Sequence, residues 1–238
     1  QLMTSVYQKL SDRWALTGEA VLFLDPFYSP GSDFIAMSNT FICDLIEKDR
    51  AGKSFAPYAE IYQQLYFSFY ENTLTLYQDQ YPLFGDAQVM PIKVIWDYTY
   101  YWALLAPLFF GKRLIALLRK LRPHFMRGRD LNLGIQALLR EWGQRNTAPL
   151  TPDDRFLNQH GVDWFHEMNR ALQDELDDDA FTTRIHDNVA RMDWLAREVL
   201  ARARSEHAGI DGHGLDALLS ESTSTPPSLS PEWYADAA

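Results

Sequence analysis

Apolar residues at helical spacing run through most of this chain and limit what it can fold into. In residues 58–80, one series is Ile61, Leu65 and Phe69, and a second is Tyr66, Tyr70, Leu74 and Tyr77. Intervals of three and four place each series on one side of a helix, and together they predict a wide buried face. The turn Arg50-Ala51-Gly52-Lys53 precedes this helix as a C-cap, and Ser54 and Pro57 suit its first turn. After the break at residues 81–86, Pro91 allows a new start. Residues 93–110 then form the most apolar segment, containing Trp96, Asp97, Tyr98, Tyr100, Tyr101 and Trp102. Further helices are expected over 112–121, ended by Pro123, and over 130–142, 156–176 and 181–208. The expected fold class is mainly α.

The N-terminal part reads differently. Residues 14–17 are a short apolar run that fits a buried strand, and residues 5–10 fit a short edge strand. Gly18-Glu19-Ala20 ends the run, Asp25-Pro26 opens an irregular loop, and Ser29-Pro30-Gly31-Ser32 closes it. From Ser32 the residues Phe34, Ile35, Met37, Phe41, Ile42, Leu45 and Ile46 take up helical spacing. One or two strands do not make a stable sheet. A remainder that completes the sheet is therefore expected, with a multi-helix domain after these strands.

The bulk numbers exclude several functions. A net charge of −10 argues against a nucleic-acid partner, which would require a surplus of Lys and Arg. The basic stretch at Lys112, Arg113, Arg119, Lys120, Arg122, Arg127 and Arg129 reads as a solvated helix face. Cys43 is the single cysteine, so no intrachain disulfide forms, and a reducing, cytoplasmic setting is expected. None of the six histidines shows His-Glu-x-x-His spacing. His166 and Glu167 are neighbours pointing about 100° apart on one helix, a poor joint ligand set. The acidic run at residues 174–179 has no EF-hand pattern and is expected to be a solvated turn leading into the next helix. No serine sits in Gly-x-Ser-x-Gly. No metal site or serine hydrolase is expected.

Gly18-Glu19-Ala20, Asp25-Pro26 and Ser29-Pro30-Gly31, in that order before a helix, carry a family likeness. The stretch resembles the second flavin-contacting motif of FAD-dependent monooxygenases and halogenases of the p-hydroxybenzoate-hydroxylase type, with the tryptophan-halogenase-like branch nearest. The likeness covers about the first 45 residues well. It implies FAD as cofactor, with Gly18, Glu19, Asp25, Pro26, Pro30, Gly31, Ser32 and Asp33 as its contacts. Glu19 stands where the family carries Asp, one methylene shorter, on the ribityl hydroxyls. Gly31 is expected to allow close backbone approach and a positive φ. The backbone N–H groups of Gly31, Ser32 and Asp33 would face the pyrimidine edge of the flavin, where a helix N-terminus favours negative charge. Asp33 is expected to cap the helix or point away.

In the family, a small-residue turn in this region binds halide through N–H donors. Pro30 removes one of them here. The Trp-x-Trp-x-Ile-Pro signature is absent from these residues. None of the 12 glycines supplies Gly-x-Gly-x-x-Gly. The likeness therefore also implies that the chain is the C-terminal fragment of an α/β FAD-binding fold, with one or two N-terminal strands followed by a multi-helix domain, and that a missing N-terminal FAD-binding region, in cis or on a partner chain, leaves the enzyme incomplete without it.

Three segments follow from this reading: 1–50 as the end of an FAD-binding domain, 51–208 as a helical substrate-side domain, and 209–238 as a mobile tail. Tyr66, Tyr70, Trp96, Asp97 and Tyr101 are the substrate-side candidates, because aromatic faces stack on flavins and aryl substrates. The expected substrate is a small aromatic or apolar molecule. A non-enzymatic helical interaction module is the alternative. A second is a membrane-surface protein anchored by residues 93–110, although Lys93 and Asp97 interrupt that segment.

Overall fold

A computed structural model describes residues 14–111, 117–146 and 161–220, less the side chains of Glu19 and Leu118. It is mainly helical, as the spacing predicts, and contains no strand among the described residues. Residues 14–17 do not pair as the expected strand, and Gly18–Ala20 is a single 3-10 turn. The expected edge strand at 5–10 lies outside the described residues. A short apolar run does not separate a strand from a segment laid against a helix. Here Thr17 joins the run to the helix that follows: its Oγ1 lies 2.6 Å from Ser38 Oγ and donates to Asn39 Oδ1 at 2.9 Å.

The chain divides into two compact units, Gln1–Gln78 and Asp79–Ala238. The boundary falls after the aromatic helix rather than at residue 50, because that helix packs on the one before it. In the first unit, α1 (Pro30–Arg50) lies against α2 (Ala56–Leu74). The seam is aromatic. Phe41 stacks on Tyr62 with centroids 4.3 Å apart, and Phe34 meets Tyr66 and Phe69 edge-on at 5.6 and 5.4 Å. At its far end, the Tyr62 hydroxyl and Lys48 Nζ both donate to Asp44 at 2.5 Å.

The second unit begins with a 3-10 turn, Tyr81–Gly85, and then α3 (Val89–Tyr100). A π-turn at Tyr101–Leu105 leads into α4 (Ala106–Phe110). Pro107 has no N–H, so the Ala103 carbonyl one turn earlier loses its ordinary helical partner. Asn188 Nδ2 takes that place, donating to Ala103 O at 3.1 Å in the buried core.

Two long helices, α5 (Leu118–Arg145) and α7 (Asp178–Glu206), form the frame. Lys120 pairs with Asp179 at 3.3 Å, Arg127 with Asp193 at 2.6 Å, and Trp142 Nε1 donates to Glu206 Oε2 at 3.1 Å. Those positions ascend together, so α5 and α7 run parallel. A parallel pair requires a crossover, and α6 (Asp163–Arg170) lies within it. Gly128 of α5 meets the π-turn, where a Cβ would stand 2.1 Å from Leu104 Cδ1.

The two expected helices on either side of Pro123 are one. Pro123 is the sixth residue of α5 and removes a single hydrogen bond near the helix start. The buried residues Leu121, Leu131, Ile135, Leu138, Leu139 and Trp142 hold the helix together across it. The acidic run at 174–179 leads into α7 as expected, with Asp177 accepting from Ala180 N at 2.8 Å as the N-cap. Of the expected mobile tail, residues 209–220 are docked. α8 (Leu215–Ser220) buries Leu215 and Leu219. Arg127 donates to Leu218 O at 2.6 Å, and Arg204 pairs with Asp216 at 2.7 Å. Residues 221–238 lie outside the described part.

The core of the second unit contains a closed polar network between α3 and α5. Lys93 Nζ donates to Asp97 Oδ2 at 2.6 Å and to Gln136 Oε1 at 2.9 Å. Gln136 Nε2 donates to Asp97 Oδ1 at 2.6 Å and to Asn132 Oδ1 at 3.2 Å. Trp96 Nε1 donates to the same Asn132 oxygen at 2.9 Å. Burial pushes the Lys93 ammonium below its ordinary range, and the Asp97 carboxylate opposes that shift.

Two outcomes follow. Lys93→Met or Asp97→Leu alone leaves a buried charge unpaired, and each is expected to cost about 3–5 kcal/mol in urea denaturation. The double variant should cost much less than the sum. In the first unit, burial raises the pKa of Asp44, but the hydrogen bonds from Lys48 and Tyr62 outweigh it and hold the pKa below the usual carboxylate value. The folded pKa lies below the unfolded one, so this contribution is full above the unfolded value of about 4. It is lost as pH falls through the folded pKa. Thermal midpoints measured down the acid limb should fall less steeply in Tyr62→Phe than in the parent.

Candidate functional site

The residues carrying the family likeness gather at the start of α1. Gly18 has φ +62, and a Cβ on it would lie 3.1 Å from Ile35 Cγ1 on α1. Only glycine accepts both conditions without strain. Asp25 Oδ1 accepts the N–H of Phe27 at 2.9 Å, and Ser29 N–H donates to Pro26 O at 2.8 Å. Pro26 is therefore held in a turn closed from both sides. Tyr77 Oη donates to Phe27 O at 3.1 Å, and its ring meets Tyr28 edge-on at 6.1 Å. These contacts fix a loop containing two consecutive non-glycine residues at positive φ, Tyr28 at 67° and Ser29 at 56°. Each such residue costs on the order of 1–3 kcal/mol.

Helix α1 then begins at Pro30, whose ring suits the first helical position. Ser29 makes no side-chain cap. The Gly31 N–H has no acceptor among the described residues, and Ser32 N–H makes only a 3.3 Å bond to Ser29 O. Around Gly31, nothing lies within 4 Å of where a Cβ would stand. The expected positive φ belongs to Tyr28 and Ser29 instead of Gly31, which is already inside the helix. Asp33 is in the first turn of α1, where its charge meets the positive helix end. The side chain of Glu19 lies outside what is described.

The substrate-side candidates are divided between the two units. Tyr66 is fully buried against Phe34, and Tyr70 is half-buried, 6.0 Å from the same ring. Both belong to the first unit and serve the α1–α2 seam. Trp96 and Asp97 are 0% and 2% exposed and are bound within the polar network of the second unit. They are core residues with no open face. Tyr101 is half-buried in the π-turn. An aromatic at helical spacing reads the same in sequence whether it faces core or pocket, and here the core took them.

Residues 93–110, the proposed membrane anchor, are largely interior of the second unit: Ile95, Ala103, Leu104, Ala106 and Leu108 are buried, while Phe110 at the end is exposed. Among the described residues no helix is long and apolar enough to cross a membrane, and no group of His, Cys, Asp and Glu could hold a metal ion. The basic stretch is partly neutralised through Lys120, Arg127 and Arg129, the last paired with Asp130 at 2.8 Å. Lys112 and Arg113 lie outside the described residues.

Sequence reasoning missed a cavity of about 250 Å³ in the second unit. Its apolar walls include Trp102, Pro107, Met168 and Phe181, and Arg184 and Arg191 of α7 reach it. In sequence those arginines read only as the polar side of a long helix. The wall residues are spread over five elements, so no local pattern marks them.

Comparison of the chain with protein-family models, with curated proteins and with solved structures returns no match. The two motif glycines should behave in opposite ways. Gly18→Ala is expected to lower stability by about 1–2 kcal/mol, through positive φ and the Ile35 contact. Gly31→Ala, which meets open space in a helical conformation, should leave stability level or raise it by up to ~1 kcal/mol. Chemical denaturation of both variants measures the contrast.

Proposed function

We propose that the chain is the C-terminal part of an FAD-dependent oxidoreductase of the monooxygenase and halogenase type, acting on a small aromatic or apolar substrate. The observation that carries this reading is the loop at Tyr28 and Ser29. Two adjacent left-handed, non-glycine residues persist there under tight hydrogen bonding, immediately before a helix N-terminus. Backbone strain of this kind concentrates at ligand-binding sites. It falls within the stretch that resembles the flavin-contacting motif.

The residues present suit a planar ligand. Space beside Gly31 is open, and its N–H is available to an acceptor. FAD, when bound, supplies the electron transfer between the substrate and a second redox partner. The chain's own part is to present the Gly31 and Ser32 amides and the positive end of α1 to the ring edge on which negative charge accumulates. Asp33 on the same turn opposes that charge. Pro30 lacks the donor that a halide turn would use, so the reading favours hydroxylation, dehydrogenation or reduction over halogenation. The phosphate-binding half, with its Gly-x-Gly-x-x-Gly turn, would come from an upstream region or a partner chain.

The test is expression of the chain joined to its upstream coding region. The extended protein is expected to purify yellow, with flavin absorbance and stoichiometric FAD. Gly31→Val in that protein should lose the flavin while keeping its circular dichroism, because the added side chain meets only open space in the protein itself. An extended protein that contains the glycine-rich turn yet remains colourless and indifferent to added FAD refutes the proposal, and the helical interaction module then stands. Full flavin retention in Gly31→Val shows that α1 does not touch the cofactor.

A further inference from the structure

The cavity in the second unit is bounded by the π-turn and α4 on one side, by α6 and the 3-10 turn Ala171–Gln173 on another, and by α7. Its volume, about 250 Å³, is just below the usual range of ligand sites, which begins at about 300 Å³, and suits only a small body such as a fused aromatic pair or a medium acyl chain. Trp102 and Phe165 meet at 4.6 Å, which fixes the aromatic wall from behind. Pro107 and Phe181 are on the lining, and neither can move freely: Pro107 is within α4, and Phe181 is buried in the first turn of α7.

The charges around the cavity are not equivalent. Arg184 is already satisfied, donating to Asp174 Oδ2 at 2.9 Å and to Ala171 O at 3.3 Å. Glu167 and Asp187 are exposed, so water screens them. Arg191 is half-buried and has no hydrogen bond or ion pair among the described residues; its Nε is shielded from solvent without an acceptor. One face of its guanidinium lies 5.8 Å from the Trp164 ring. Burial pushes this guanidinium below its ordinary range, against the pull of Glu167 and Asp187. A half-buried cation whose Nε is enclosed without an acceptor, beside the apolar wall of a cavity, is placed to take an anion there.

We propose that this cavity is a binding site for a small organic anion with an apolar body, a carboxylate whose charge is met by Arg191 and whose aryl or alkyl part fills the space between Trp102, Pro107, Met168 and Phe181. The site is confined to residues 79–238. It does not depend on the flavin reading, and its test uses the 238-residue chain without FAD.

Calorimetric titration with 2-naphthoate and with dodecanoate tests the two bodies separately, and 2-naphthalenemethanol is the uncharged counterpart. At least one acid is expected to bind one-to-one, and the alcohol should bind about ten- to a hundredfold more weakly than the naphthoate if the aryl acid is the one taken. Arg191→Gln should weaken acid binding about ten- to a hundredfold, whereas Arg122→Gln, an exposed change elsewhere, should not. If Arg191→Gln does not fold, Leu172→Trp serves instead. It places a bulky ring into the cavity and should abolish binding with circular dichroism unchanged. Failure of both acids to bind the folded parent overturns the proposal. So does unchanged affinity in Arg191→Gln, in Leu172→Trp, or on replacing the acid by the alcohol.

Discussion

The second unit depends on one buried ion pair that never stands alone. Lys93 and Asp97 are both almost fully enclosed, and two charges removed from water cost several kcal/mol each unless every donor and acceptor is met. Gln136 meets both, accepting from the ammonium and donating to the carboxylate, and Asn132 then joins Gln136 to the Trp96 indole. Because Lys93, Trp96 and Asp97 are on α3 while Asn132 and Gln136 are on α5, the network sets the register between those helices. An apolar seam of the same size would tolerate sliding by a turn; this one would leave a charge bare. The parallel arrangement of α5 and α7, and the docking of α8 through Arg127, build outward from that fixed pair.

The two units solve different problems. The second has long helices and a full interior, so its polar groups serve specificity. The first has two helices and an aromatic seam, and it carries left-handed backbone at Tyr28 and Ser29. Asp25 within the loop and Tyr77 outside it both hold the Phe27 backbone, and Gly18 keeps the preceding turn close to Ile35 of α1. Such over-determination holds a short segment rigid beside a helix terminus whose amides remain available. That is the physical basis on which the flavin reading rests, together with the family likeness of the same residues.

Much of the helical content was legible from spacing, since a period near 3.6 survives whatever the helix packs against. The capped acidic turn before α7 was legible too, because Asp177 and its neighbours carry a local signal. The strand expected at residues 14–17 was not separable from coil. A run of four residues carries no period of its own, and the hydroxyl of Thr17 found partners on α1 instead of a neighbouring strand. Pro123 misled for a related reason: a proline costs a helix one bond near its start, and tertiary burial along α5 outweighed it. Among the site residues, Gly18 and Asp25 could be picked out because turn chemistry is local, whereas Trp96 and Asp97 were assigned to a pocket and belong to the core.

By itself the sequence determined that the chain is mainly helical, that a proline loop precedes the first long helix, and that no cysteine framework holds it together. Those properties are set by residue type and spacing over short windows. Tertiary structure decided which aromatic faces are interior, that Asp97, paired with a lysine one turn away, also accepts a hydrogen bond from a glutamine 39 residues on, and that α5 and α7 run parallel. It also decided that Arg191 faces a cavity without an acceptor. Each of these depends on which distant segments meet, and the free energy of burying a charge or a ring is settled only by what lies on the other side.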